Sequence, residues 1–466
     1  MPEVKELTDA RARDSRAVRP NVLFVFPDQM QAGAMGCAGH PDVHTPNLDR
    51  LAGGGTRFVH AVANCPVCTP SRGTMLSGRY PLAHGAVTND LPLREDVQTF
   101  GEVFAAGGWR TGYIGKWHLD GVPRARFTPP GRRRHGFEYW AAWNCSHQYF
   151  DGRYFHDDPE PIPLQGYEPH AQTYLALDFI HAHHDEAFCL FLSWGPPHPP
   201  YAQVPEPDRA SYEPDALTRR GNWRDPDLRV VADYYAAITA LDREMGRLLA
   251  ALDEHGIGEH TIVVFTSDHG DMLFSHGMRE KQKPWDESIL VPLIMRYPGV
   301  VPAGRVTPAL FSTVDLLPTL LGMCALPAPA GMQGQDLSAV VRGQPGSAGP
   351  SSAYLVNAIP VSNPPDIGQG EWRGLRTRRY TYAAGLSGPW LLYDNEADPL
   401  QEHNVLHEPA YAAIRRELEG ELQEWLQRTG DPFLPWPEYI RRLELFELWN
   451  LRERTQNRTH PRLVAP

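Results

Sequence analysis

Four short apolar runs in this chain each hand over directly to a polar cluster. Asn21 to Phe26 leads to Asp28 and Gln29, and Arg110 to Ile114 leads to Lys116 and His118. Ala187 to Ser193 leads to His198, and His260 to Thr266 leads to Asp268, His269 and Asp271. Carboxylates behind two of these runs are hard oxygen ligands, suited to Ca2+, Mg2+ or Mn2+ rather than to a soft metal. Near-continuous apolar runs read as buried strands, and open α/β sheets gather ligands at the carboxyl ends of their strands. The four clusters therefore predict one site along one sheet edge. A further segment carries Cys68, with Pro70, Ser71 and Arg72 at close offsets and Leu76-Ser77-Gly78-Arg79 at its end. Gly73 to Leu76 is expected to begin a helix, whose positive end would face the Cys68 side chain. Taken singly, each residue also has an ordinary structural reading. Asp28 can form a turn, Asp268-His269 can cap a helix, Cys68 can be a buried thiol, and the lysines and histidines can be surface and core groups.

Chain organisation decides how those groups are held. At 466 residues the chain is long enough for a large core and two unequal domains. Hydrophobic residues make up 42% and charged residues 21%, as in an ordinary globular protein. The longest apolar runs, such as Val22-Leu23-Phe24-Val25-Phe26, are strand-sized and too short to span a bilayer. Strand-like and helix-like segments alternate through the first half, the pattern of an α/β sheet with helices on both faces. Thr45-Pro46-Asn47 predicts a helix start, and residues 227–255, rich in Ala and Leu, predict a long helix packed across the sheet. Gly343 to Ser352 reads as a loop near a domain boundary. Beyond it, residues 372–382 and 390–393 predict paired antiparallel strands, residues 409–427 a helix, and residues 439–451 an apolar face that covers the core or a second copy of the chain. We divide the sequence into a polar extension (1–20), a catalytic domain (21–360) and a C-terminal subdomain (361–466).

A formal net charge of -12 argues against a nucleic-acid or anionic-membrane partner. The first twenty residues carry no apolar stretch of the kind a secretory signal needs, so the expected location is cytoplasmic. The six cysteines, Cys37, Cys65, Cys68, Cys145, Cys189 and Cys324, show no disulfide framework. Cys65-Pro66-Val67-Cys68 matches C-x-x-C, but no second pair completes a zinc site, and a thioredoxin-like site would sit in a much smaller domain.

Residues 68–79 resemble the signature of the formylglycine-dependent sulfatases, C-x-P-S-R-x-x-x-L-[ST]-G-R, with every fixed position filled. Gly115-Lys116-Trp117-His118 resembles the G-K-W-H segment of that family, and Pro196-Pro197-His198-Pro199-Pro200 its P-P-H-x-P stretch. His276-Gly277, Lys281 and Trp285-Asp286-Glu287-Ser288 resemble H-G-x-x-x-K-x-x-x-[YW]-[ED]-E-S, with Lys283 the weaker match for the lysine. Residues 373–380 and 392–399 are similar to sulfatase C-terminal segments, so the resemblance runs from Asn21 to about His403. It implies an alkaline-phosphatase-like mixed α/β sheet flanked by helices, with a smaller C-terminal antiparallel-sheet subdomain. It further implies a maturation enzyme that converts Cys68 to formylglycine, whose hydrated aldehyde attacks the sulfur of a sulfate ester. The implied cation is divalent, usually Ca2+ with Mn2+ or Mg2+ as alternatives, held by Asp28, Gln29, Cys68, Asp268 and His269. In the implied catalytic set Cys68 is the nucleophile, Arg72 holds the hydrated aldehyde and the cation, and Lys116 and Lys281 bind sulfate. His118 is the base at the formylglycine hydroxyl, and His198 contacts sulfate or protonates the leaving oxygen. The chain departs from many relatives at Gln29, where they carry a second Asp, and at His269, where they often carry Asn.

The resemblance leaves the substrate open. Trp143, Asn144, His147, Gln148, Tyr149 and residues 357–363 are the candidates for a specificity region, and such aromatic and amide groups suit a sugar ring. Without a basic stretch for a long sulfated polymer, the expected substrate is a small sulfate ester, such as a sulfated sugar. Two rivals remain at this stage: a phosphonate monoester or phosphodiester hydrolase using the same formylglycine, and a binding protein that kept the fold without catalysis.

Overall fold

The structure is a computed structural model and describes residues 19–362, 369–456 and 459–464. Its core is an eight-stranded mixed sheet. In chain order the strands are β1 (Asn21–Asp28), β2 (Thr56–Val62), β3 (Arg110–Lys116), β4 (Tyr139–Trp143), β5 (Phe188–Pro197), β6 (Thr261–Phe265), β7 (Ile294–Arg296) and β8 (Arg305–Ser312). They lie side by side as β8-β2-β7-β6-β1-β5-β3-β4. All neighbouring pairs are parallel except those of β7, which runs antiparallel to β2 and β6.

Central strand β1 is buried along its whole length, which is why its sequence is apolar without alternation. Val22, Phe24 and Phe26 enter the hydrophobic cluster on one face of the sheet, and Leu23 and Val25 enter the cluster on the other. The second cluster is closed by the long helix α4 (Leu228–Glu254), which contributes Val231, Ala232, Tyr234, Leu241 and Leu248. Asp227 caps that helix, its carboxylate accepting from the N–H groups of Arg229 and Val230 at 3.0 and 3.3 Å. Helix α1 (Pro46–Gly53) begins with proline at its first position, as the Thr45-Pro46 pair predicts. Helix α2 (Cys68–Ser77) starts at Cys68 itself, more than a turn before the start expected at Gly73, and every residue of it is buried. Helix α3 (Glu168–His183) completes the cover beside α4.

The C-terminal part is a four-stranded antiparallel sheet, β9 (Ser352–Asn357), β10 (Trp372–Thr377), β11 (Tyr380–Gly385) and β12 (Gly388–Asp394), paired in chain order. Two strands are expected there; the reversal at 378–379 splits the first of them into β10 and β11, and β9 adds a fourth. A division after residue 360 cuts this sheet, because β9 pairs with β10 along its full length. Helix α5 (Ala412–Thr429) packs behind the sheet, and residues 439–451 form parts of two short helices. Trp449 and Ile440 there are buried, whereas Leu448 and Leu451 remain exposed. Among the described residues no helix is long and apolar enough to cross a membrane.

Candidate active site

The polar clusters predicted from chain order do converge on one sheet edge. Cys68, the first residue of α2, sits at their centre with 1% of its surface exposed. Its Sγ lies 3.3 Å from His269 Nε2, 3.4 Å from Lys281 Nζ, 3.6 Å from Asp28 Oδ1 and 3.9 Å from Lys116 Nζ. Burial alone would push the thiol up; Lys116, Lys281 and His269 outweigh it and hold the group well below the usual thiol range. The surroundings thus stabilise negative charge at this position, an effect reinforced by the α2 N-terminus.

Local backbone geometry places each partner. β1 and β5 are in register until Pro27, where the pairing slips so that Asp28 lies opposite Pro197. Gln29 then turns at a φ of 72°, held there because its N–H donates to Asp268 Oδ1 at 3.0 Å. In β3, Gly115 has a φ of 99°, and a Cβ on it would stand 2.0 Å from the Ser193 carbonyl oxygen. Only glycine lets β3 approach β5 this closely while aiming Lys116 inward.

Arg72 binds the site together from beneath. Its Nε donates to Asp268 Oδ2 (3.0 Å), its Nη2 to Asp28 Oδ2 (3.2 Å), and its Nη1 to Ser193 Oγ and the Lys116 carbonyl (both 2.7 Å). Lys116 pairs directly with Asp28. Burial and Cys68 push the Asp28 carboxyl up, but the charges of Lys116 and Arg72 prevail and hold it below the usual carboxylate range. Its neighbour Asp268 is pushed up by burial and by Asp28.

Asp28, Cys68, Asp268 and His269 each offer a ligand atom, and these atoms all lie within 4.8 Å of one another. Two carboxylates and an imidazole with almost no exposure suit a divalent cation. Gln29 lies beside this group with its amide engaged elsewhere: Oε1 accepts from Lys281 Nζ (2.7 Å) and Nε2 donates to Asp271 Oδ2 (2.7 Å). Of the two candidate lysines, Lys281 is the one that faces Cys68; Lys283 is buried and its backbone N–H reaches Ser288 Oγ.

The two histidines differ in their surroundings. Burial pushes His198 down to about 3, helped by Lys281, so it is neutral in the substrate-free chain. Its Nδ1 contacts the Pro199 carbonyl at 2.8 Å, and His147 stacks on its ring with centroids 4.4 Å apart. Burial also opposes charge on His118, yet Cys145 and Asp90 carry it up to about 10. Its Nε2 is 3.0 Å from Asp90 Oδ1, and its Nδ1 is buried without a hydrogen-bond partner among the described residues. Motif order alone marks neither Asp90 nor Arg124, which grips Asp90 at 2.7 and 2.9 Å. Ser193 and Cys145 are also missed. Ser193 lies inside β5 and Cys145 two residues past β4, and nothing in the type of either singles it out.

The specificity candidates separate clearly. Asn144 and Tyr149 are buried, with Asn144 bonded to the 120–121 backbone and Tyr149 to Pro199. Trp143 stacks on Phe155 at 4.9 Å, and exposed Gln148 bonds its own loop. His147 is the member in ring contact with a site residue. Asn357 bonds Gln282, and Asn363 lies outside the described residues.

A mixed sheet that ends in buried carboxylates, with a nucleophile position on a helix N-terminus, defines a hydrolase of the alkaline phosphatase superfamily. Residues 20–325 match the family model described as Sulfatase, and residues 275–428 match N-sulphoglucosamine sulphohydrolase, C-terminal. An ulvan-active sulfatase of Formosa agariphila is 37% identical over 438 residues, 91% of this chain and 84% of that one. An endo-4-O-sulfatase of Bacteroides thetaiotaomicron is 29% identical over 483 residues, 90% and 94% of the two chains. A solved Bacteroides thetaiotaomicron structure, described under the metabolism of multiple glycosaminoglycans, superposes with a TM-score of 0.82 at 28% identity, covering 91% of this chain and 98% of that one. The chain belongs to the sulfatase family, and it is a sulfuric ester hydrolase.

Proposed function

We propose that this enzyme removes sulfate from a sulfated carbohydrate, using formylglycine made from Cys68 by a maturation enzyme and a bound Ca2+. The observation that carries the reading is the shell around Cys68 Sγ, which stands where a formylglycine oxygen would stand. Lys116, Lys281 and His269 surround that atom with positive charge, as a sulfuryl group in transfer requires. The carbohydrate class is supported by the relatives, of which one is ulvan-active and another an endo-4-O-sulfatase.

A formylglycine at position 68 would supply the nucleophilic hydroxyl. A cation held by Asp28, Asp268, His269 and the residue-68 oxygen would supply Lewis-acid polarisation. The remaining work falls to the chain. Lys116 and Lys281 neutralise the sulfate oxygens, and Arg72 fixes both carboxylates so that no rearrangement is needed during transfer. Burial chiefly and Lys281 in part keep His198 neutral; a sulfate dianion arriving beside both would offset the Lys281 charge and favour the imidazolium that donates to the leaving oxygen. His118, oriented by Asp90 and protonated in the substrate-free chain, presents Nδ1–H to the residue-68 oxygen and moves that proton along the bond. Burial of the whole shell excludes bulk water.

Peptide mass after expression with a maturation enzyme should show loss of the thiol at Cys68, with Cys65 unchanged as an internal control. Cys68→Ala should abolish sulfate release while the melting temperature stays near wild type; turnover in that variant would defeat the formylglycine reading. Rates on aryl sulfate and aryl phosphonate esters, each compared with sulfated sugars, decide between the sulfatase and its phosphonate-cleaving relatives. Dialysis against a chelator should remove activity, and Ca2+ should restore it better than Mg2+ or Mn2+.

A further inference from the structure

We infer that Gln282 is a positioning residue that latches the C-terminal sheet onto the catalytic loop and thereby sets Lys281 over residue 68; this rests on the sulfatase reading. Gln282 lies between Lys281 and Lys283, both buried, and adopts a φ of 65°, an uncommon backbone for a residue with a Cβ. Its hydrogen-bonding groups are all used. The backbone N–H donates to the Pro66 carbonyl at 2.9 Å, two residues before Cys68. The backbone carbonyl accepts from Trp372 Nε1 at 3.2 Å. On the side chain, Nε2 donates to Asn357 Oδ1 at 2.8 Å and to the Ile359 carbonyl at 3.3 Å, while Oε1 accepts from the Val361 N–H at 2.8 Å.

The other end of the latch is equally fixed. Asn357 donates through Nδ2 to the Gly370 carbonyl at 3.0 Å, and its own carbonyl accepts from buried Arg373 at 2.9 Å. A second tie runs in parallel: Val356 donates to the Asn64 carbonyl and Asn64 Nδ2 to the Tyr354 carbonyl, both at 2.8 Å. The strand β9 therefore holds the chain on the approach to Cys68 through Asn64, and it holds the Lys281 loop through Gln282.

Such a latch matters because of what lysine is. Its ammonium rides on a flexible four-carbon stem and forms no rigid fork, so its placement depends on the backbone beneath it. Lys281 Nζ is 3.4 Å from Cys68 Sγ and 2.7 Å from Gln29 Oε1. A displacement of about 1 Å at a group that contacts the reacting centre can lower rate on the order of 100-fold. A glutamine that only stiffened the interface would lower stability without acting through Lys281.

The test is a double-mutant cycle on the matured, metal-bound enzyme with Gln282→Met, Lys281→Ala and the pair. Methionine keeps the volume and the backbone ties and removes only the side-chain latch; Asn357→Ala cuts the same latch from the other side should Gln282→Met fail to fold. Gln282→Met should lower kcat roughly 10- to 100-fold. In the Lys281→Ala background it should add less than about twofold, since residues acting as a unit are not additive. Calorimetric binding of inorganic sulfate should weaken in Gln282→Met and not weaken further in the pair. Equal losses in both backgrounds, or wild-type kinetics in Gln282→Met, would overturn the inference. The sulfate titration separates the two failures: a wild type that binds sulfate but hydrolyses no ester defeats the hydrolase reading, while the cycle on sulfate affinity still decides the latch.

Discussion

Asp90 reaches His118 Nε2 at 3.0 Å while Arg124 holds the same carboxylate from the far side, so the imidazole presents only Nδ1 to the reacting centre. Asparagine at 90 could pair with either ring nitrogen state and would leave Arg124 without its counter-charge. Asp90→Asn should therefore cut kcat by roughly 10²- to 10⁴-fold, the range a positioned acid–base group contributes, with KM changed far less. Steady-state kinetics on a sulfated sugar check this; an unchanged kcat would remove His118 from proton transfer. Glu168 offers a second test, on stability. Burial raises its carboxyl to about 8 from an ordinary 4.5, against the opposing pull of Lys116. Folded Glu168 is thus neutral at low pH and carries no burial penalty there; the penalty grows as pH rises from about 4.5 to about 8. Glu168→Gln has no charge to bury, so its melting temperature should exceed that of wild type at about pH 9 and converge with it near pH 5. These residues escape a reading of the sequence for a shared reason. Asp28, Lys116, His198 and Asp268 announce themselves because each directly follows an apolar strand, whereas Asp90, Glu168 and Gln282 reach the site through packing that no local pattern records.

Among the elements, the strands were the most legible. β1, β3, β5 and β6 are buried on both faces, and uninterrupted apolar runs are what such strands require. Less legible was the C-terminal sheet, whose first strand lies before the boundary drawn after residue 360 and whose central pair is divided by a two-residue turn. The reason is physical: β9 is buried against the catalytic half as well as its own sheet, so it carries a core-like sequence on both counts. One very close approach between elements is at Gly115, where β3 meets β5. Gly115→Ala places a Cβ 2.0 Å from a backbone carbonyl that cannot turn aside, at a φ of 99°. Strain of this kind costs about 1–3 kcal/mol before the clash is counted. We expect a melting temperature lower by several degrees or more, with Lys116 displaced and activity lost beyond what the unfolded fraction explains. Differential scanning calorimetry paired with active-site titration separates the two losses.

At the scale of the whole molecule two opposing fields meet. The chain carries a formal net charge of -12, so a distant anion is repelled. Near the site Arg72, Lys116 and Lys281 outnumber Asp28 and Asp268, and a divalent cation would widen that margin. Range decides which field governs association. At about 10 mM salt the screening length is roughly 30 Å and the approaching sulfate senses the whole acidic surface; at about 150 mM it is roughly 8 Å and only the local cations remain in reach. Salt should therefore first raise kcat/KM for a sulfated sugar, up to near-physiological ionic strength, and then lower it as the contact pairs with Lys116 and Lys281 are screened in turn. An enzyme steered by a basic surface would show a monotonic fall instead. The same titration on Lys281→Ala should keep the rising limb and flatten the falling one, because the repulsion belongs to the whole surface and the attraction to a few buried side chains.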